Sequence, residues 1–563
     1  MTPHVIFSCP ENGPITRMYE HTETGRPPTL STNAMVATPH SLASTTGTDL
    51  LRDGGSAVDA AIGINAVLAV AYPHMAGLGG DGFWLIGSPD GEVRGINASG
   101  PAADRATPSF YTDEYSAIPE RGAGAALTVP GAVDGWRLAH EAHGRLPWER
   151  LFEDAIALAS EGVPVTERLA RWIRRDRSVL VEDDRATETF LDGGDPMPAG
   201  TTLTQPALGE SFSTLATEGA RDGFYEGALA AEFCEGLGEA SPLEPGDFAD
   251  YTAEWVEPLS VDYRGYTAYE LPPNTQGMAA LGILGILDGF DVKAMGDGTP
   301  EYYHHIAEAT KLAFADRDAW VTDPREVDIP TDSLLDPDYL AGRRDCISPD
   351  ETLPSLPDPG ISPSDHAGDS APAGGDTCYF SVVDDDGLAV SALQSVYFDF
   401  GAGVVAGDTG IVPQNRGAYF SLNPSSVNHL VPGKRPFHTL IPAMLTKDGD
   451  PCLVYGTMGG EGQPQTQAAL VTRVVDFGYD VQRAIEAPRW LYGRTWGDES
   501  RSLTLEKRVP DGVVTALADV GHDVSLARGY DETLGHAQAV RVHEDGTLAG
   551  GADPRSDGAA LGY

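Results

Sequence analysis

Apolar positions in this chain gather into runs separated by glycine- and proline-rich breaks. From Ser56 to Val70 the sequence is Ala-rich and apolar, and Ser56 followed three residues later by Asp59 has the form of a serine cap. A largely buried helix is predicted there. It leads into PHMAGLGGDGFW at residues 73–84, where the glycines let backbone pass close to backbone. Further helices are predicted over about 147–161, with Pro147 near the first turn, and over about 301–317 in EYYHHIAEATKLAFADR. His304 and His305 are adjacent and so face different directions on that helix, with no third ligand spaced to join them. They read as surface or boundary histidines, and no metal site is expected.

From 345 to 376 the chain becomes DCISPDETLPSLPDPGISPSDHAGDSAPAGGD, dense in Pro, Ser, Asp and Gly, which predicts a flexible surface segment. A structureless stretch of about thirty residues inside a compact protein needs a purpose. Directly after it, TCYFSVVDDDGLAVSALQSVY alternates around a DDDG turn and predicts paired strands over 378–384 and 388–397. The segment therefore ends at Thr377, the first residue of a hairpin. Another hairpin is predicted within TLIPAMLTKDGDPCLVYGTMGG, with a helix opening in QTQAALVTRVVDFG.

The chain has 563 residues, 41% hydrophobic and 21% charged, as expected of a folded globular protein. Its 84 acidic residues against 37 basic ones give a formal charge of -47, a field that repels nucleic acid and anionic lipid. Neither is expected as a partner. The acids are spread along the whole chain and lysine is scarcer than arginine, as on a solvated acidic surface suited to high salt, though an ordinary acidic protein has the same signature. With neither a leader pattern nor an apolar run of about 18 residues, the expected location is cytoplasmic. Cys9, Cys234, Cys346, Cys378 and Cys452 show neither metal spacing nor a disulfide framework.

A threonine hydroxyl is a poor nucleophile at neutral pH unless a base lies within reach. If the bond before Thr377 is broken, its own α-amino group, with a reference pKa of about 7.7 to 8.0, can be that base. The chain resembles the γ-glutamyltransferase (γ-glutamyltranspeptidase) family of N-terminal nucleophile hydrolases. The matching motifs are GGSAVDAAIGINAVLAVAYPHMAGLGGDGF at 54–83, GDTCYFSVVDDDG at 375–387, FGAGVV at 400–405, KRP at 434–436, GTMGG at 456–460 and GGADPRSDGAALGY at 550–563. The resemblance implies an α+β fold, a four-layer αββα sandwich. It further implies autocatalytic cleavage between Asp376 and Thr377 into a large piece, 1–376, and a small piece, 377–563, that stay together as one composite domain. No cofactor is implied, and a homo-oligomer is left open. By motif, the helper threonine of the family corresponds to Ser395, and the oxyanion diglycine to Gly459 and Gly460.

The substrate clamp departs from the family pattern. Where the resemblance expects an arginine for a substrate carboxylate, this chain has Asn97. The acid for an α-ammonium corresponds to Tyr419, a nearby asparagine to Tyr397, and the serine pair to His438 and Thr439. Asparagine offers no cationic fork, and tyrosine no counter-charge for an ammonium. With Gln463 and Gln465, these residues predict an aromatic, neutral polar pocket like that of the oxamate-cleaving and acylase-like members. Glu461, beside the diglycine, suits either orienting a water or an amine, or stabilising the loop. Arg416 and Arg94 are candidates for a small carboxylate, although a surface arginine is the more ordinary reading. The expected function is hydrolysis of a small-molecule amide in preference to transfer. The alternatives are a true γ-glutamyl transferase or glutathione hydrolase, and a non-catalytic binding protein that retains the fold. A metal-dependent hydrolase lacks any HExxH-like cluster.

Overall fold

The computed structural model describes residues 24–112, 117–363, 375–493 and 500–563. Two seven-stranded sheets dominate it. Their strands, in chain order, are β1 (Thr29–Ser31), β2 (Met35–Thr38), β3 (Asp81–Gly87), β4 (Val93–Ala98), β5 (Glu254–Val256), β6 (Leu259–Tyr263), β7 (Tyr266–Glu270), β8 (Asp376–Val383), β9 (Ala389–Tyr397), β10 (Ala443–Lys447), β11 (Asp450–Thr457), β12 (Ala537–Val542), β13 (Leu548–Ala552) and β14 (Ala559–Gly562). One sheet runs β1-β13-β12-β11-β10-β7-β6 and the other β14-β2-β8-β9-β3-β4-β5, with every neighbouring pair antiparallel. The connecting helices used below are α1 (Ser41–Arg52), α2 (Ala57–Ala71), α3 (Ala132–His143), α4 (Gly277–Asp288), α5 (Pro300–Trp320) and α6 (Gly462–Val475).

Strand alternation sorts the apolar side chains into layers. Along β8, Tyr379 and Val383 join Phe83, Leu393, Met444 and Val454 in a core between the two sheets. The alternate residues Cys378, Phe380 and Val382 join α1 and α2 in a second core. A third core packs α4, α5 and α6 on the outer face of the other sheet. The result is the four-layer αββα sandwich. Helix α2 is buried along its whole length and opens with the predicted capping box between Ser56 and Asp59. Among the described residues, no helix is long and apolar enough to cross a membrane.

Three expectations change. The helix predicted from 147 begins as a 3-10 turn, Trp148–Phe152, and becomes α-helical only at Glu153. His304 and His305 are buried, not at the surface, because α5 lies between α4 and the segment that follows it. Finally, that following segment is tied down as far as it is described. Trp320 Nε1 donates to Ile361 O at 2.8 Å, Arg343 to Asp358 O at 3.2 Å, and Leu353 N to Glu308 Oε2 at 2.5 Å. Residues 364–374 of the predicted loop lie outside the described residues.

Candidate active site

Glycines place the two central strands of the second sheet. A Cβ on Gly79 would lie 2.2 Å from Val412 O, and one on Gly80 would lie 2.3 Å from Ser395 O, so only glycine allows β3 to start this close to the end of β9. The next residue, Asp81, pairs with Ser395. Across β9, Asp376 pairs with Tyr397 and Cys378 with Gln394, so Ser395 and Val396 together oppose the single residue Thr377. This bulge sets Thr377 against the Ser395 end of β9. Thr377 is fully buried, and its Oγ1 has no hydrogen-bond partner among the described residues.

The strand after the bulge curls. Tyr397 has φ of 81°, a strained value for a tyrosine, and its N–H donates to Ser395 Oγ at 2.8 Å. Its ring packs 4.8 Å from that of Tyr419, which in turn meets Phe437 at 5.0 Å. Burial pushes both tyrosine pKa values above the ordinary phenol, so both stay neutral. Tyr397, Tyr419 and Phe437 thus form a buried aromatic wall that carries no negative charge.

Arg416 lies between these rings and the hydroxyls. Contrary to the surface reading, it is completely buried. Its Nη2 donates to Ser395 Oγ at 3.2 Å and its Nη1 to Thr439 Oγ1 at 3.4 Å, and its guanidinium sits 4.1 Å from the Tyr397 ring centre. Arg94, by contrast, is at the surface over Trp255.

The diglycine follows β11 and precedes α6, with φ of 130° at Gly459 and 52° at Gly460. Their carbonyls are held from behind. Gly462 N donates to Gly459 O at 2.7 Å, and Gln276 Nε2 donates to Gly460 O at 2.8 Å. Gln276 also bonds Thr439 O at 2.8 Å and accepts from the buried Arg317 at 3.0 Å. Arg317 in turn pairs with Asp318 and, at 3.3 Å, with Glu461. Glu461 therefore helps to brace the diglycine turn. Gly375 lies against this turn, since a Cβ there would be 3.2 Å from Gly460 Cα and 3.6 Å from Thr439 Oγ1.

His438 Nε2 meets Asp81 Oδ2 at 3.1 Å, while Asp81 Oδ1 accepts from Gly100 N, Gly131 N and Gln414 Nε2. Burial pushes the Asp81 pKa up to about 6. Burial, and then the positive charge of Arg416, hold His438 well below its ordinary value, so its ring is neutral. The pair anchors the chain just before Thr439.

Two candidate pocket residues are occupied elsewhere and a third is occupied in part. The amide of Asn97 is engaged by Asn274 at 2.9 Å and by Ser99. Gln465 is fully taken up by the Glu461 carbonyl and the Tyr492 backbone. Gln463 accepts from Ile441 N, and its buried Nε2 has no partner among the described residues. Sequence reasoning missed Asp81, Gln276 and Arg317. Of these, Asp81 had a signal, as the acid in GLGGDG. Away from this site, folding brings Glu308 and His522 to His304, a grouping that spacing did not reveal. There His304 Nδ1 and His522 Nε2 share a hydrogen bond at 2.9 Å, and Lys311 pairs with Glu308 at 2.7 Å, so an ammonium already supplies the positive charge.

The family model described as gamma-glutamyltranspeptidase matches residues 43–563, nearly the whole chain. The chain belongs to the γ-glutamyltranspeptidase family. It is 44% identical to the glutathione hydrolase-like YwrD proenzyme of Bacillus subtilis (strain 168), over 95% of this chain and 99% of that one. It is also 44% identical to the oxamate amidohydrolase proenzyme of Klebsiella pneumoniae, with the same coverage. Among solved structures, a cephalosporin acylase from Bacillus halodurans superimposes with a TM-score of 0.88 at 35% identity, covering 99% of both chains. Membership gives the class, a self-processing amide hydrolase of the N-terminal nucleophile superfamily, similar to its amidohydrolase- and acylase-like members.

Proposed function

We propose that this chain cuts itself between Asp376 and Thr377, and that Thr377, as the new amino terminus, hydrolyses a small amide with water as the preferred acyl acceptor. The observation that carries this reading is the position of the uncut chain. Gly375 rests on Gly460 and Thr439 while Thr377, opposite the Ser395 end of β9, has a buried hydroxyl without a hydrogen-bond partner among the described residues.

In the first reaction Thr377 Oγ1 attacks the Asp376 carbonyl and the oxyanion takes N–H donors from the Gly459–Gly460 turn. The C–N bond breaks, the hydroxyl proton passes to the departing amine, and an ester remains until water releases residues 1–376. In turnover the freed α-amino group takes the Thr377 proton as the hydroxyl attacks the substrate amide. That proton goes to the leaving amine, and water then resolves the acyl-threonine. The Ser395 hydroxyl orients the nucleophile, and the diglycine stabilises the charge on the tetrahedral intermediate.

The neutral Tyr397 and Tyr419 leave no counter-charge for an α-ammonium in that wall, which argues against a conventionally held γ-glutamyl group. Resemblance to an oxamate amidohydrolase and a cephalosporin acylase supports a different acyl group. Thr377→Ala is expected to abolish turnover and leave a single chain, whereas Thr377→Ser should retain part of both reactions. With the processed enzyme at low substrate, the initial rate of acyl transfer to glycylglycine should stay below that of hydrolysis. Faster transfer than hydrolysis would contradict the preference for water.

A further inference from the structure

Arg416 is a buried cation without an ion-pair partner among the described residues. No carboxylate among the described residues lies within 4.0 Å of its guanidinium. Its polar contacts are two neutral hydroxyls, Ser395 Oγ and Thr439 Oγ1, and its Nε has no partner among the described residues. The Tyr397 and Tyr419 rings cover it, at 4.1 and 5.5 Å. The charged group nearest in effect is Asp81, whose oxygens are already taken by two backbone amides, Gln414 and His438. A guanidinium has five donors in a planar fork suited to a carboxylate, and burying one without an anion is unfavourable. A purely structural arginine held by two tyrosine faces is the competing account, and it predicts no preference among ligands.

The position of Arg416 says which part of a substrate it meets. Before cleavage the acyl side of the scissile bond is the chain ending in Gly375 and Asp376, and Gly375 lies against Thr439 Oγ1, the hydroxyl that Arg416 bonds. The same nucleophile attacks both the precursor and the substrate, so the acyl group of the substrate occupies this side. The other arm of the fork donates to the hydroxyl of Ser395, which belongs to the strand end that opposes Thr377.

We infer that Arg416 is an anion clamp on the acyl side, binding a carboxylate close to the reacting carbonyl, so that the preferred substrates are short amides of dicarboxylic acids. The inference rests on Thr377 being the nucleophile, and it replaces the carboxylate partner that Asn97 cannot provide.

The test compares kcat/KM of wild type, Arg416→Gln and Arg416→Lys on two matched pairs, oxamate with oxamide and succinamate with succinamide, after intact mass has established that each protein is processed. Wild type should prefer the acid of at least one pair by about tenfold or more, the scale of a charge-assisted hydrogen bond. In Arg416→Gln that ratio should collapse towards unity whatever the absolute rate. Arg416→Lys should fall between, because it keeps the charge and loses the fork. If the Gln variant is not processed, the wild-type ratio and its reduction in the Lys variant decide. A wild type that prefers the neutral amides, or a ratio unmoved by substitution, overturns the clamp. Absence of two chains in wild type would instead overturn the nucleophile assignment.

Discussion

Gln276 donates through one nitrogen to the carbonyls of Thr439 and Gly460 and accepts from Arg317 through its oxygen. It thereby fixes the backbone of two site segments at once. Gln276→Ala would leave both carbonyls and one arm of Arg317 without this partner, a cost of about 1–3 kcal/mol in stability. Because the diglycine would lose its rear support, kcat is expected to fall by roughly ten- to a hundredfold. Steady-state kinetics and a denaturant titration of the same protein check both effects. Nothing local to QGMAALGILG marks Gln276 as a site residue, because the two carbonyls it holds lie more than 160 positions away. Thr377 and the diglycine stand out as candidates because each lies inside a contiguous motif, and Ser395 follows from the alignment between two such motifs. The burial of Arg416 was not legible, because QNRGAYF has no apolar periodicity and its cover comes from the packing of Tyr397 against Tyr419.

At the scale of elements, both hairpins and the helices over 57–71 and 300–320 were readable from alternation, capping and apolar periodicity. The grouping of strands into two sheets was not readable from periodicity, since it depends on pairings far apart in sequence, and it came with the family resemblance. Each sheet mixes strands from both sides of Asp376. Strands β8 and β14 flank β2, β9 pairs with β3, β10 with β7, and β13 with β1. The two proposed chains therefore cannot separate without splitting both sheets. At the start of β3 the approach is close, since a Gly80 Cβ would lie 2.3 Å from Ser395 O. Gly80→Ala must push back the backbone that carries Ser395. The expected result is a loss of about 1–3 kcal/mol in stability together with slower self-cleavage, followed by gel electrophoresis after expression.

Across the described residues, five deeply buried histidines are held in neutral form. Burial lowers His40 to about 4 and His522 and His536 to about 3, and holds His74 and His438 well below the ordinary value. Each folded pKa lies below that of the unfolded chain, near 6.5, so the unfolded chain binds the extra proton. Stability from these groups is complete above pH 6.5 and is lost as pH falls towards the folded values. Asp81 and Glu270, raised by burial, act in the opposite sense. His536→Gln isolates one contribution. It should make the unfolding free energy less steep in pH, by about 1.4 kcal/mol per unit, between pH 6 and pH 4. Urea titrations across that range measure the slope, and equal slopes in variant and wild type would rule out a neutral buried His536.

The central claim, that Thr377 becomes an amino-terminal nucleophile, is tested most directly by mass spectrometry of the purified protein under denaturing conditions, paired with its size under native ones. The account predicts two polypeptides that travel together, the smaller of 187 residues beginning at Thr377, and one uncut chain for Thr377→Ala. A catalytically active wild-type chain that remains whole, or a new terminus at any other residue, would contradict it.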